Sequence, residues 1–134
     1  MPQLPSDPGP ASPGPSDPAR SAPGQITPAQ ADRLAHTGAA VLLDVREAAE
    51  FTAGHAPGAL HLPLVGLAAG VGLPPEAVGR TVLTVCRSGH RSQRAAELLA
   101  ARGVEALNVT GGMNAWARAR LPVTTPDGSA GHVI

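Results

Sequence analysis

The stretch TVLTVCRSGHRSQRAAELLAARG, residues 81–103, decides how this chain folds. Its first five residues, TVLTV, are apolar or β-branched on both faces, the pattern of a strand buried in the middle of a sheet. From Ser92 to Arg102 the positions Ala95, Leu98 and Leu99 recur at helical spacing, and Gly103 supplies the stop. Between them sits CRSGHRS, residues 86–92, which holds the only cysteine of the chain. A buried strand that passes through a short glycine-containing turn into an amphipathic helix is the building unit of a parallel α/β sheet.

The flanking sequence repeats that alternation. Thr27 followed by Pro28 is an N-cap and first-turn signal for a helix over PAQADRLAH, closed by Gly38. AAVLLDV (39–45) is a short apolar run that predicts a buried strand. REAAEFTAGHAPGA (46–59) predicts one or two helical turns and then a Pro57-Gly58 turn, with LHLPL (60–64) as another short strand. Residues 65–80, rich in glycine and alanine, predict only a short helix around Pro75 to Val78. EALNV (105–109) is a further core strand, and NAWARA after Gly111-Gly112 a last helical turn or two. The expected fold is therefore one α/β domain whose mainly parallel central sheet is flanked by helices.

Residues 1–25 carry eight prolines among glycine, serine and aspartate, with almost nothing to bury, and predict a disordered tail. The globular pattern runs over 26–122, and 123–134 is expected to be a C-terminal tail. The formal net charge is +0, so no global field recruits nucleic acid or an anionic membrane, and anion binding must be local. All ten basic residues are arginine, which excludes lysine Schiff-base chemistry. A lone thiol, with no signal-peptide-like start and no apolar run of membrane-spanning length, fits a cytoplasmic protein. The five histidines, at 36, 55, 61, 90 and 132, show no metal-ligand pairing with each other or with Cys86.

Ligands of a parallel sheet bind beyond the carboxyl ends of its strands, which is where Cys86 falls. Gly89 permits the tight turn, whose successive backbone N–H groups form a concave nest completed by the first turn of the next helix. Such a nest favours a thiolate and predicts a Cys86 pKa below the free value of about 8.5. Arg87 and Arg91 reinforce this and are candidates for holding an oxyanion. Ser88, Ser92 and His90 are further candidate donors, with Ser92 also placed to act as a helix cap. Glu47 and Glu50 lie on one short helix, where a solvated face and an ion pair to Arg46 are expected. His55 and His61 are expected to be hydrogen-bonded structural residues, and Met113 and Trp116 core.

The CRSGHR loop resembles the active-site loop of the rhodanese-like sulfurtransferase family. LDVREAAEFTAGHAPGA (43–59) is similar to that family's upstream signature and GGMNAW (111–116) to its downstream one. The three motifs stand in family order and cover residues 26 to 122. The resemblance implies that Cys86 forms a persulfide, that Arg87, Ser88, Gly89, His90 and Arg91 cradle the substrate, and that Asp44, Arg46, Glu50, His55 and Gly58 hold the scaffold. It implies a sulfane sulfur moved from thiosulfate or a similar donor to cyanide, a small thiol or a protein thiol, with no metal and no organic cofactor. Ala56 and Thr110 depart from the family pattern, at positions that bear on local packing. Related folds run phosphatase or arsenate-reductase chemistry, but with five residues between cysteine and arginine where this chain has four. A non-catalytic binding module is the other alternative, and the retained cysteine opposes it.

Overall fold

The computed structural model describes residues 23–134; most of the proline-rich segment, residues 1–22, lies outside the described residues. Five strands form one sheet, β1 (Gly24–Ile26), β2 (Val41–Asp44), β3 (Leu60–His61), β4 (Val82–Val85) and β5 (Ala106–Val109), in the order β1-β5-β4-β2-β3. Every pairing is parallel, with Asp44 beside Val85 and Thr84 beside Asn108. β4 is therefore central, and all four of its residues are buried, as its uninterrupted apolar sequence requires.

The period-2 alternation of the strands divides the interior between the two faces. Val82 and Cys86 share one apolar cluster with Leu43, Leu67, Ala95, Ala96 and Leu99. Leu83 and Val85 point the other way, into a cluster with Ile26, Ala31, Leu42, Met113 and Trp116. Helices α3 (Leu64–Ala68) and α4 (His90–Ala101) thus cover one face, and α1 (Pro28–His36) and α5 (Gly112–Arg118) the other. The buried positions of α4, Ser92, Ala95, Ala96 and Leu99, keep the helical spacing of the sequence. The first helix starts at the expected cap: the Thr27 hydroxyl accepts from the Gln30 N–H at 3.2 Å, while the Gln30 side chain accepts from the Thr27 N–H at 3.1 Å.

Three boundaries differ from the sequence expectation. Gly24 and Gln25, assigned to the tail, form an edge strand on β5, a pairing three residues long that leaves no periodic signal. α4 begins at His90 rather than Ser92, because Gly89 adopts φ 110° as its N-cap and the helix then starts at once. The strand expected over 60–64 ends at His61 and α3 begins at Leu64, held in place by the fully buried Leu67 despite the weak helix propensity of Gly66. A single 3-10 turn at Pro75–Ala77 matches the short helix expected there. Residues 123–134 fold back over α2 (Ala48–Ala53): Thr124 exchanges two backbone hydrogen bonds with His55 at 2.8 and 2.9 Å, and the His132 N–H donates to the Ala53 carbonyl at 3.0 Å.

Candidate active site

Cys86 follows β4 directly and is 1% exposed, with its sulfur at the floor of the turn that leads into α4. The Gly89 N–H points at Sγ from 3.1 Å, and the Ser92 hydroxyl lies 3.3 Å from it. Burial pushes the Cys86 thiol up, but the Ser92 hydroxyl and the backbone N–H groups of Ser92, Gly89 and Ser88 outweigh it and leave the pKa below its ordinary value. The expected nest is therefore present, made mostly of main-chain donors. α4, twelve residues long, adds its positive dipole end from the same side.

The turn keeps its shape because α5 braces it from behind. The Met113 N–H donates to the Cys86 carbonyl at 2.7 Å and the Asn114 N–H to the Arg87 carbonyl at 3.0 Å. Gly112 lets the two backbones approach this closely: a Cβ there would lie 2.4 Å from the Cys86 carbonyl oxygen and 2.7 Å from the Arg87 carbonyl carbon and oxygen. GGMNAW thus supplies a wall of the cysteine loop, a role that periodicity alone does not reveal.

Arg91 sits in the first turn of α4, and its guanidinium is engaged by Glu50, Nη1 to Oε1 at 2.7 Å and Nη2 to Oε2 at 2.9 Å. This bidentate bond to Arg91 holds the Glu50 carboxyl down at about 2, against the opposing effect of burial. The pairing expected between a glutamate of α2 and Arg46 is not formed. Arg46 is buried with Asp44 instead, Nε to Oδ1 at 2.9 Å and Nη2 to Oδ2 at 2.7 Å, and also donates to the Gly54 carbonyl at 2.7 Å. A two-residue offset at the end of β2 brings Asp44 and Arg46 to the same side, so the shorter pairing prevails. Arg87, Ser88 and His90 are exposed around the mouth of the loop, with Ser88 Oγ 3.3 Å from His90 Nδ1.

His55 and His61 are both hydrogen-bonded to backbone carbonyls. The ring of Phe51 stacks between them, with centroids 3.8 Å from His55 and 4.4 Å from His61. His55 Nδ1 is 2.8 Å from the Phe51 carbonyl, and His61 Nε2 is 2.8 Å from that of Arg46. Ala56 is fully buried in the cluster of the α1 and α5 face, where its small side chain fits.

Two residues of the site escape the sequence motifs. Asn108, on β5, is 5% exposed, accepts from the Ser92 hydroxyl at 2.6 Å, and donates to the Gln25 side chain at 3.0 Å. The signal was an asparagine inside an otherwise apolar strand, since a buried amide needs partners. Gln25, on a strand too short to predict, had none.

Among the described residues no group of three or more His, Cys, Asp or Glu side chains is placed to hold a metal ion. Nor is any helix among them long and apolar enough to cross a membrane. A cleft of about 480 Å³ opens near the start of β2, lined by Asp32, His36, Glu76 and Arg80 among others, and contains no residue of the cysteine loop. Cys86, with the Gly89 N–H aimed at its sulfur, lies apart from this cleft.

A family model described as the rhodanese-like domain matches residues 27–119. A protein of Allochromatium vinosum named a sulfurtransferase is 39% identical over 99 residues, 73% of this chain and 91% of its own. The solved structure of a rhodanese-related protein from Thermoplasma volcanium superposes with a TM-score of 0.67 at 26% identity, over 75% of this chain and 97% of that one. Another, from Rhodopseudomonas palustris, described as a protein of unknown function and possible tyrosine phosphatase, gives 0.66 at 27% identity over 79% and 88%. With its parallel sheet, its cysteine loop at the end of the central strand and this match over most of its length, the chain belongs to the rhodanese-like domain family.

Proposed function

We propose that the protein is a sulfurtransferase that carries sulfur as a Cys86 persulfide. The observation behind this reading is the poised sulfur: a thiolate-favouring Cys86 at the floor of a turn whose N–H groups converge on it. The thiolate attacks the outer sulfur of thiosulfate, forming the new S–S bond as the old one breaks. Sulfite leaves with the bonding pair, and Cys86 is left as an anionic persulfide. Cyanide or a thiolate then attacks the outer sulfur, takes it, and returns the Cys86 thiolate. No metal or organic cofactor enters either step.

The loop donors that hold the thiolate also suit the persulfide anion one bond further out. Arg87 is an exposed cation at the mouth, placed to meet an anionic donor, whereas Arg91 already gives two N–H groups to Glu50. The partners of this reading are a small anionic sulfur donor and a small-molecule or protein thiol acceptor, in a reducing compartment such as the cytoplasm.

Phosphoryl transfer is the competing chemistry, raised by the possible phosphatase among the similar structures. The four residues between Cys86 and Arg91, and a cysteine only 1% exposed, favour a substrate whose reacting atom is a terminal sulfur over a tetrahedral phosphate. Steady-state assays decide between them. Thiocyanate should form from thiosulfate and cyanide, with Cys86→Ser inactive; hydrolysis of an aryl phosphate without thiocyanate formation would overturn the proposal.

A further inference from the structure

The Ser92 hydroxyl has one hydrogen and two neighbours that need it. Asn108 Oδ1 lies 2.6 Å from Oγ and Cys86 Sγ 3.3 Å from it, and all three residues are buried. The orientation of the Asn108 amide is fixed, because Nδ2 faces two acceptors, the Gly89 carbonyl at 3.3 Å and Gln25 Oε1 at 3.0 Å. Gln25 is held in turn through its Nε2, which donates to Gln93 Oε1 at 2.7 Å. The oxygen of Asn108 is therefore a permanent acceptor aimed at Ser92, and in this arrangement it holds the hydrogen.

A neutral thiol is compatible with that arrangement, since the S–H can donate to the Ser92 oxygen. A thiolate is not, since a hydroxyl whose hydrogen points at Asn108 presents only lone pairs to the sulfur. To solvate the anion the hydroxyl must turn about its Cβ–Oγ bond, which leaves a buried amide oxygen without a donor. We propose that Asn108 is a positioning residue that takes the Ser92 hydrogen whenever the Cys86 sulfur is uncharged and yields it when that sulfur is a thiolate. In the persulfide the negative charge lies on the outer sulfur, so the inner one is again uncharged and the hydrogen returns to Asn108. Asn108 thus favours the sulfur-loaded state over the empty thiolate. No proton is transferred and no bond breaks; only the hydroxyl rotates. This part of the inference rests on the persulfide reading above, whereas the exchange of the hydrogen on ionisation does not.

Other charges around the sulfur are few. Arg91 of α4 interacts with Cys86 electrostatically and is paired to Glu50 of α2, with Glu47 beyond it. Arg87 and His90 belong to the exposed mouth, and the buried Asp44–Arg46 pair lies at the end of β2. The only charged residue of α5, Arg118, is in its last turn, and β1 and β5 carry none. All remain in place when Asn108 is changed, so their titration is common to every variant compared.

The test is the pH profile of Cys86 alkylation by iodoacetamide in the full chain. Asn108→Ala frees the hydroxyl for the thiolate, so the profile should move to lower pH, with alkylation below the midpoint about three- to tenfold faster than in the wild type. Ser92→Ala should move it to higher pH, and adding Asn108→Ala to Ser92→Ala should produce no further change. Loosening of the fold alone would not give this pattern. Asn108→Leu, of similar size and lacking the acceptor, repeats the test should the alanine variant fail to fold. A midpoint that stays or rises in the Asn108 variants, or one that still falls in the Ser92→Ala background, overturns the assignment. Mass analysis is read separately: a wild type that gains no sulfur from thiosulfate or from other sulfane donors overturns the sulfurtransferase reading and leaves the alkylation comparison standing.

Discussion

Replacing Gly112 by alanine tests how the α5 wall controls the cysteine loop. The new Cβ would lie 2.4 Å from the Cys86 carbonyl oxygen, where a carbon–oxygen contact needs about 3.3 Å. The obstacle is backbone, so α5 and the loop must separate by about 1 Å. That strains the bonds from the Met113 and Asn114 N–H groups to the Cys86 and Arg87 carbonyls. Overpacking of this kind costs about 1–3 kcal/mol, and the φ of +57° adds about 1 kcal/mol for a residue with a Cβ. The expected loss is about 2–4 kcal/mol, equivalent to a Tm drop of about 10 °C or more in a domain of this size. Gly79→Ala is the matched control, since Gly79 has φ +76° but nothing within 4 Å of its Cβ position, so only about 1 kcal/mol should be lost. Urea unfolding measures both, and alkylation of Cys86 reports the loop: Gly112→Ala should raise the pH midpoint as the N–H groups swing off the sulfur, and Gly79→Ala should not. Equal destabilisation by the two variants, or an unmoved midpoint in Gly112→Ala, would refute the account of the wall.

Asp44→Ala leaves the Arg46 guanidinium buried without its partner and should lower stability by about 3–5 kcal/mol in the same urea assay. The Arg91 guanidinium depresses the folded pKa of Glu50 from its ordinary 4.5 to about 2, so the pairing contributes stability fully above pH 4.5 that is lost as pH falls through 2. Because both partners are partly exposed, the contribution is about 1 kcal/mol after screening. Urea midpoints measured from pH 6 to pH 2 should fall more steeply in the wild type than in Glu50→Gln. Arg87→Ala should raise the KM for thiosulfate about three- to tenfold with little change in kcat, an effect that shrinks with added salt; a selective loss of kcat would contradict its role at the mouth.

The β4-turn-α4 unit was legible because each of its parts follows a local rule: both faces of β4 are buried, Gly89 is the residue that tolerates φ 110°, and α4 shows one apolar stripe. Cys86 was legible for the same reason, as a thiol at a strand end before a helix. What sequence reading misplaced depends on contacts between distant segments. The partner of Glu50 is Arg91, 41 residues away, and no spacing rule reports such a pair. Ser92 read as either a loop donor or a cap, and the earlier start of α4 removes the cap and turns its hydroxyl inward onto Cys86 and Asn108. β1 went unseen since three residues, one of them glycine, carry too little pattern, yet it brings Gln25 to the end of the same polar chain.

The central claim is that Cys86 carries sulfur, and the most direct test is the mass of the intact protein after brief exposure to thiosulfate. The account predicts a gain of one sulfur atom in the wild type, removed by cyanide and absent from Cys86→Ser. An unchanged mass with thiosulfate and with other sulfane donors, or an adduct that persists in Cys86→Ser, would contradict it.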